Sequence, residues 1–152
     1  GRDTGLEPSR RADTIRAAKD AGMLVFSCIE PMGPEHTPEE MIDLVQMHLD
    51  LGVSALATMR RYAVPGTPLA SRGVITEAEL ARISSIIRLM AGHRILSFGN
   101  HEVSALPLVS GANTITAEVW ANPRKGDLTP EAGASVAEAR KKLWEAGWST
   151  IS

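Results

Sequence analysis

TPEEMIDLVQMHLDLGVSALATMRR, residues 37–61, holds one full turn of the pattern that decides the fold. Thr37 and Glu40 have the Ser/Thr-x-x-Glu spacing in which two side chains satisfy each other's orphan backbone donors, and Pro38 sits at the favoured first helical position. Met41, Leu44, Val45 and His48 then recur on one helical face. Gly52 supplies the left-handed stop. The near-continuous apolar run Val53–Met59 follows, as in a strand buried on both faces, and it ends abruptly on Arg60 and Arg61.

The same rhythm extends in both directions. Thr76 with Glu79 and Ser135 with Glu138 repeat the capping box, and Gly22, Gly92, Gly111 and Gly147 repeat the stop. Leu80, Ile83, Ile87 and Met90 form the apolar face of a third helix. A weaker helix spans roughly Pro8 to Ala21, a short one runs near Ser104 to Ser110, and a last one near Ser135 to Ala146. Apolar runs at Met23–Ile29, Ile95–Phe98 and Thr114–Val119 read as three further strands. The order is one helix and then four βα units, an α/β architecture with parallel strands and right-handed crossovers.

Four parallel βα units preceded by a helix are half of a (β/α)8 TIM-type barrel. Alone, such a half exposes two parallel edges and an apolar inner face, so it needs a partner. An open doubly wound sheet is the competing architecture, but no Gly-rich phosphate turn follows the first strand. The chain, residues 1–152, begins with Gly rather than Met and is expected to be a fragment, a half-barrel whose other half is missing.

Composition excludes several classes. With 43% hydrophobic residues, the chain can build a core. No apolar run approaches the ~20 residues that span a bilayer, and the first residues lack a signal-peptide centre, so a cytoplasmic protein with no membrane partner is expected. Sixteen Lys and Arg against eighteen Asp and Glu leave a net charge of -2 with no basic stripe, which disfavours nucleic acid. Cys28 is the single cysteine, so no internal disulfide and no thiolate-held cluster can form within the chain. It reads as a small buried hydrophobe. No metal ligand is assigned.

In barrels, chemistry gathers at the C-terminal ends of the strands. The first strand ends Ser27-Cys28-Ile29-Glu30-Pro31, the second Thr58-Met59-Arg60-Arg61, the third Gly99-Asn100-His101-Glu102, and the fourth delivers Glu118 and then Asn122. Glu30 and Glu118 lie among apolar neighbours and would be partly desolvated unless paired with cations such as Arg60 and Arg61, either in a structural ion pair or in a site. The chemistry of His101 allows a metal or cluster ligand, a proton carrier or a hydrogen-bonded wall residue; with no cysteine neighbouring it in the sequence, a wall residue or substrate contact is expected. His36 and His48 read as structural. The loop Val64-Pro65-Gly66-Thr67-Pro68-Leu69 is a stiff turn, able to offer backbone groups to a planar base or simply to connect strand and helix.

The segments at 27–37, 60–70 (RRYAVPGTPLA) and 79–90, together with Ser-Phe-Gly-Asn-His-Glu (97–102) and Ser-Gly-Ala-Asn-Thr-Ile (110–115), resemble the second half of radical S-adenosylmethionine enzymes of the biotin synthase-like branch. That branch also holds the hydrogenase-cofactor maturases and methylornithine synthase, and the resemblance covers most of residues 5 to 147. It implies an enzyme using S-adenosylmethionine and a [4Fe–4S] cluster to abstract a substrate hydrogen through a 5′-deoxyadenosyl radical. The Cys-x-x-x-Cys-x-x-Cys motif is absent, so the cluster ligands lie outside this chain, which alone should be inactive.

Carried over onto this sequence, Ile29 in the segment leading to Glu35 would touch the adenine, and Val64 before the Pro-Gly-Thr turn would lie near it. Two departures count against sulfur insertion: Phe26 stands at the position matching a cluster cysteine, and the arginine region reads Asn100-His101. The leading expectation is a small-molecule substrate held by Arg60, Arg61, Glu102 and Asn122, with Glu30, His101 and Glu118 catalytic and Ile29, Glu35 and Val64 toward the nucleoside. The alternatives are a cluster-free aldolase- or isomerase-type barrel with Glu30 as general base, and a non-catalytic half-barrel that closes by homodimerising.

Overall fold

The computed structural model describes residues 7–117 and 134–149. Within them, α1 (Pro8–Asp20) precedes β1 (Phe26–Met32), α2 (Pro38–Asp50), β2 (Ala55–Arg60), α3 (Glu77–Ala91), β3 (Ser97–Asn100), α4 (Ala105–Val109), β4 (Thr114–Ile115) and α5 (Val136–Glu145). The four strands form one parallel sheet in the order β1-β2-β3-β4. This is the α/β half-barrel expected. No described helix is long and apolar enough to cross a membrane.

Helix boundaries follow the local chemistry. All three capping boxes are complete, with Thr37, Thr76 and Ser135 each accepting from the backbone N–H three residues on, while the glutamate there accepts from the cap backbone. Gly52 (φ 66°) and Gly92 (φ 54°) end α2 and α3 in a conformation that costs other residues a Cβ clash.

The strands differ from expectation in extent. β1 starts three residues later than the run Met23–Ile29 and continues through Glu30 to Met32. β2 and β3 likewise begin two residues into their runs and reach one or two residues further, into polar sequence. Pairing decides this: Phe26 to Ile29 lie opposite Ala55 to Thr58, and the ladder resumes at Met32 opposite Arg60 after an irregularity that contains the cis Glu30–Pro31 peptide. Of the expected Thr114–Val119 strand, Thr114 and Ile115 are strand, and residues 118–119 lie outside the described part.

The two faces of the sheet are unlike. Parallel register places Ser27, Leu56 and Phe98 in one row and Ile29, Thr58 and Asn100 in the next. Ile29, Leu56 and Phe98 join a single core with Ile15, Val45, Leu80, Ile87 and Leu108 from the helices. The opposite face carries Phe26, Ala55 and Ser97, then Cys28, Ala57, Gly99 and Thr114. None of these joins the helix-packed cluster; Ala57 is nonetheless fully buried, whereas Phe26 is 55% exposed. Burial on both faces was expected and holds for β2, where Leu56 to Met59 are all buried, and for β3, where Phe98 to Asn100 are, whereas β1 at the sheet edge alternates between buried and accessible positions.

Candidate functional site

The strand ends form one polar rim, and its side chains are already paired. Arg60, at the end of β2, donates to Glu102 Oε2 from Nε (2.8 Å) and from a terminal nitrogen (2.6 Å), while its backbone N–H donates to Oε1 (2.7 Å). The hydrogen bonds to Glu102 hold the Arg60 guanidinium above its ordinary pKa. Asn100, fully buried, donates to the Glu102 carbonyl and accepts from the Glu102 amide, which fixes the turn after β3.

Arg61 is 7% exposed and donates to Glu35 and to the Gly73 carbonyl. Gly33 makes room for it, since a Cβ there would collide with the guanidinium. Burial would raise the Glu35 carboxyl, but its own backbone N–H and Arg61 outweigh that and hold it below the usual range. Arg61 Nε and Glu35 Oε2 remain buried without a hydrogen-bond partner.

On the inner face, His101 Nδ1 lies 3.0 Å from Glu30 Oε2, with side-chain exposures of 14% and 16%. The His101 amide donates to the Thr58 carbonyl, and its ring lies 6.2 Å from that of Phe26. Cys28 is half-buried beside Glu30 rather than a core hydrophobe; burial first, and then the Glu30 charge and hydrogen bond, push its thiol up to about 11. Cys28, Glu30 and His101 present ligand atoms all within 4.8 Å of one another.

A cleft of about 260 Å³ lies beside this trio, lined by Glu30, Pro31, Met59, Arg61, Tyr62 and Val64. Val64 is exposed there. The side chain of Ile29 faces the other way, into the core, where its carbonyl accepts from Thr58 Oγ1. A larger hollow, about 560 Å³, lies between α1 and α2 and holds none of the rim residues.

Of the residues singled out in the sequence, the structure therefore gathers Glu30, Arg60, Arg61, His101, Glu102, Glu35 and Val64 toward one end of the sheet, while Glu118 and Asn122 lie outside the described residues. His36 bonds Gly33 and buried His48 bonds the Leu44 carbonyl, both structural. Sequence reasoning gave no role to Asn100, which holds the His101–Glu102 turn. Its signal was a polar residue inside an otherwise apolar strand.

These features define a polar-rimmed parallel half-barrel. No family model matches the chain. It is similar to biotin synthases: that of Desulforudis audaxviator (strain MP104C), 26% identical over 143 residues, which are 90% of this chain and 41% of that protein; that of Pelodictyon phaeoclathratiforme, 26% over 127 residues, 80% and 37%; and that of Anaeromyxobacter sp. (strain K), 35% over 94 residues, 60% and 26%. The chain spans well under half the length of these relatives.

Proposed function

We propose that this chain is the substrate- and nucleoside-binding half of a radical S-adenosylmethionine enzyme that does not insert sulfur. The observation that carries the reading is the coincidence of two features. Similarity to biotin synthase runs over 90% of the chain, and the same residues fold into a half-barrel whose polar side chains collect at the strand C-terminal ends. That is where barrel chemistry resides.

When bound to a [4Fe–4S] cluster, S-adenosylmethionine supplies a 5′-deoxyadenosyl radical. The chain has one cysteine and so offers no cluster ligand set; those thiolates belong to another part of the enzyme. The nucleoside fits better. The cleft at Met59, Tyr62 and Val64 is apolar on one side and charged on the other, and at about 260 Å³ it accommodates one end of such a molecule. The unpartnered Glu35 Oε2 and Arg61 Nε offer one acceptor and one donor nearby. Exposed Val64 takes the adenine contact, and Ile29 supports the strand from the core side.

Arg60, partly accessible, orients a substrate or methionine carboxylate by exchanging one fork of its pair with Glu102, and Asn122 is a second substrate contact. Buried Arg61 holds Glu35 and contributes to substrate binding only through Nε. Glu30 and His101, 3.0 Å apart, stand as the carboxylate and imidazole that face the reacting substrate, with Glu118 as the further carboxylate. Phe26 and Asn100, in place of ligands to a sulfur-donating cluster, argue for a rearrangement or cofactor-assembly reaction. The partner that covers the inner face is the other half of the same enzyme.

The test is anaerobic assay of the intact protein. Reduced protein should cleave S-adenosylmethionine to 5′-deoxyadenosine, and Glu30→Ala with Arg60→Ala should cut both turnover and 5′-deoxyadenosine formation. If both persist, the assignment of the rim is wrong. The carboxylate–imidazole pair also suits a cluster-free barrel with Glu30 as general base; an intact protein lacking iron–sulfur absorbance near ~400 nm would establish that reading instead.

A further inference from the structure

Three donors of different chemistry converge on the inner face where β1 and β3 end. Cys28 and Glu30 are two residues apart on one strand and so project to the same side, and His101 meets them from the bend that follows β3. Glu30 Oε2 is buried and has no hydrogen-bond partner, although His101 Nδ1 stands 3.0 Å away: the imidazole is within ion-pair reach but outside hydrogen-bond geometry. The neighbouring guanidinium groups are committed elsewhere, Arg60 to Glu102 and Arg61 to Glu35. A buried carboxylate oxygen left without a hydrogen bond calls for a ligand.

We propose that Cys28, Glu30 and His101 bind one divalent transition-metal ion, Zn²⁺ or Fe²⁺, on the inner face of the sheet, with the remaining coordination positions open toward the barrel interior.

Several observations agree. Nitrogen and oxygen donors at about 2.0–2.1 Å from such an ion lie about 3 Å apart when adjacent, which matches the Glu30–His101 separation. Ligand atoms spread over 4.8 Å need only side-chain rotation to close on a common centre. One carboxylate and one thiolate balance the two charges of the ion, and coordination itself deprotonates the thiol. Sulfur beside imidazole selects zinc or iron over magnesium or calcium. Three protein ligands with an open position are the arrangement of sites that bind or activate a substrate. The row beside Cys28 is Ala57, Gly99 and Thr114, small residues that put no charged or bulky side chain next to the three donors. The proposal does not rest on radical chemistry, and with the ion bound Glu30 and His101 act as its ligands rather than as proton carriers.

The test uses cobalt(II) alone as the probe, added anaerobically to the chelator-treated intact protein. One equivalent should bind with a thiolate-to-cobalt charge-transfer band in the near ultraviolet. Cys28→Ser should abolish that band, and Glu30→Gln and His101→Gln should each weaken binding by about tenfold or more, with far-ultraviolet dichroism unchanged. As a measurement that needs no variant, zinc should protect Cys28 of the unsubstituted protein from alkylation, read peptide by peptide in a mass spectrometer. The proposal is overturned if the substituted proteins bind cobalt with the parent's spectrum and affinity, if the parent binds none, or if zinc leaves the alkylation of Cys28 unchanged.

Discussion

The helix-facing side of the sheet and its inner side are built by the same strands in alternation, yet they are chemically opposite. Ile29, Leu56 and Phe98 face the helices and sink into one continuous core with Val45, Leu80 and Ile87. One residue along each strand, Cys28, Ala57 and Gly99 form a row of small residues outside the helix-packed cluster, with Ala57 buried and Cys28 half-buried. A period of two lets a single segment carry both a folding instruction and a site. The outer rows carry the packing, whereas the inner side holds Cys28, Glu30 and His101.

Substitutions on the two sides of the sheet should differ widely in cost. Phe98→Ala removes a fully buried ring that packs under Arg88, with the guanidinium 5.7 Å from its centroid, and should cost about 3–5 kcal/mol in urea unfolding. Next, Arg61→Met strips the buried cation from Glu35 and should cost about 3 kcal/mol.

That pair also sets an acid dependence. The Glu35 carboxyl lies below its ordinary value in the folded protein, so the unfolded chain binds that proton more tightly. Its contribution is complete above the unfolded value of about 4.3 and is lost as pH falls through the lower folded value. Urea midpoints followed from pH 7 to pH 3 should therefore fall less steeply for Glu35→Gln than for the parent; parallel slopes would show that Glu35 is not the group concerned.

Thr37→Ala should cost about 1 kcal/mol by opening one capping box. The smallest effect belongs to the inner face: Phe26→Ala, at a position 55% exposed, should shift stability by no more than about 0.5 kcal/mol. A loss approaching that of Phe98→Ala would mean that something covers the inner face in solution, and the contrast between the two faces would then describe this half alone.

The amino-acid sequence by itself determined the helices, their ends and the α/β order. A capping box joins residues three apart and a glycine stop acts at one residue, so Thr37, Thr76, Ser135, Gly52 and Gly92 could be read without knowing what surrounds them. It also put Glu30, Arg60, Arg61, His101 and Glu102 at or near the ends of the first three strands, while Glu118 and Asn122 lie outside the described residues. Tertiary structure alone decided where β1 begins and that it runs on to Met32, because strand limits depend on a partner nearly thirty residues away. It decided too that Arg60 belongs to Glu102, 42 residues on, and Arg61 to Glu35, 26 residues back. Above all it turned Cys28, a lone small residue in the sequence, toward Glu30 and His101 on the inner face. Local hydrogen bonds fix a helix within one turn of chain, but a site assembled from several strands exists only once the register of the sheet is set.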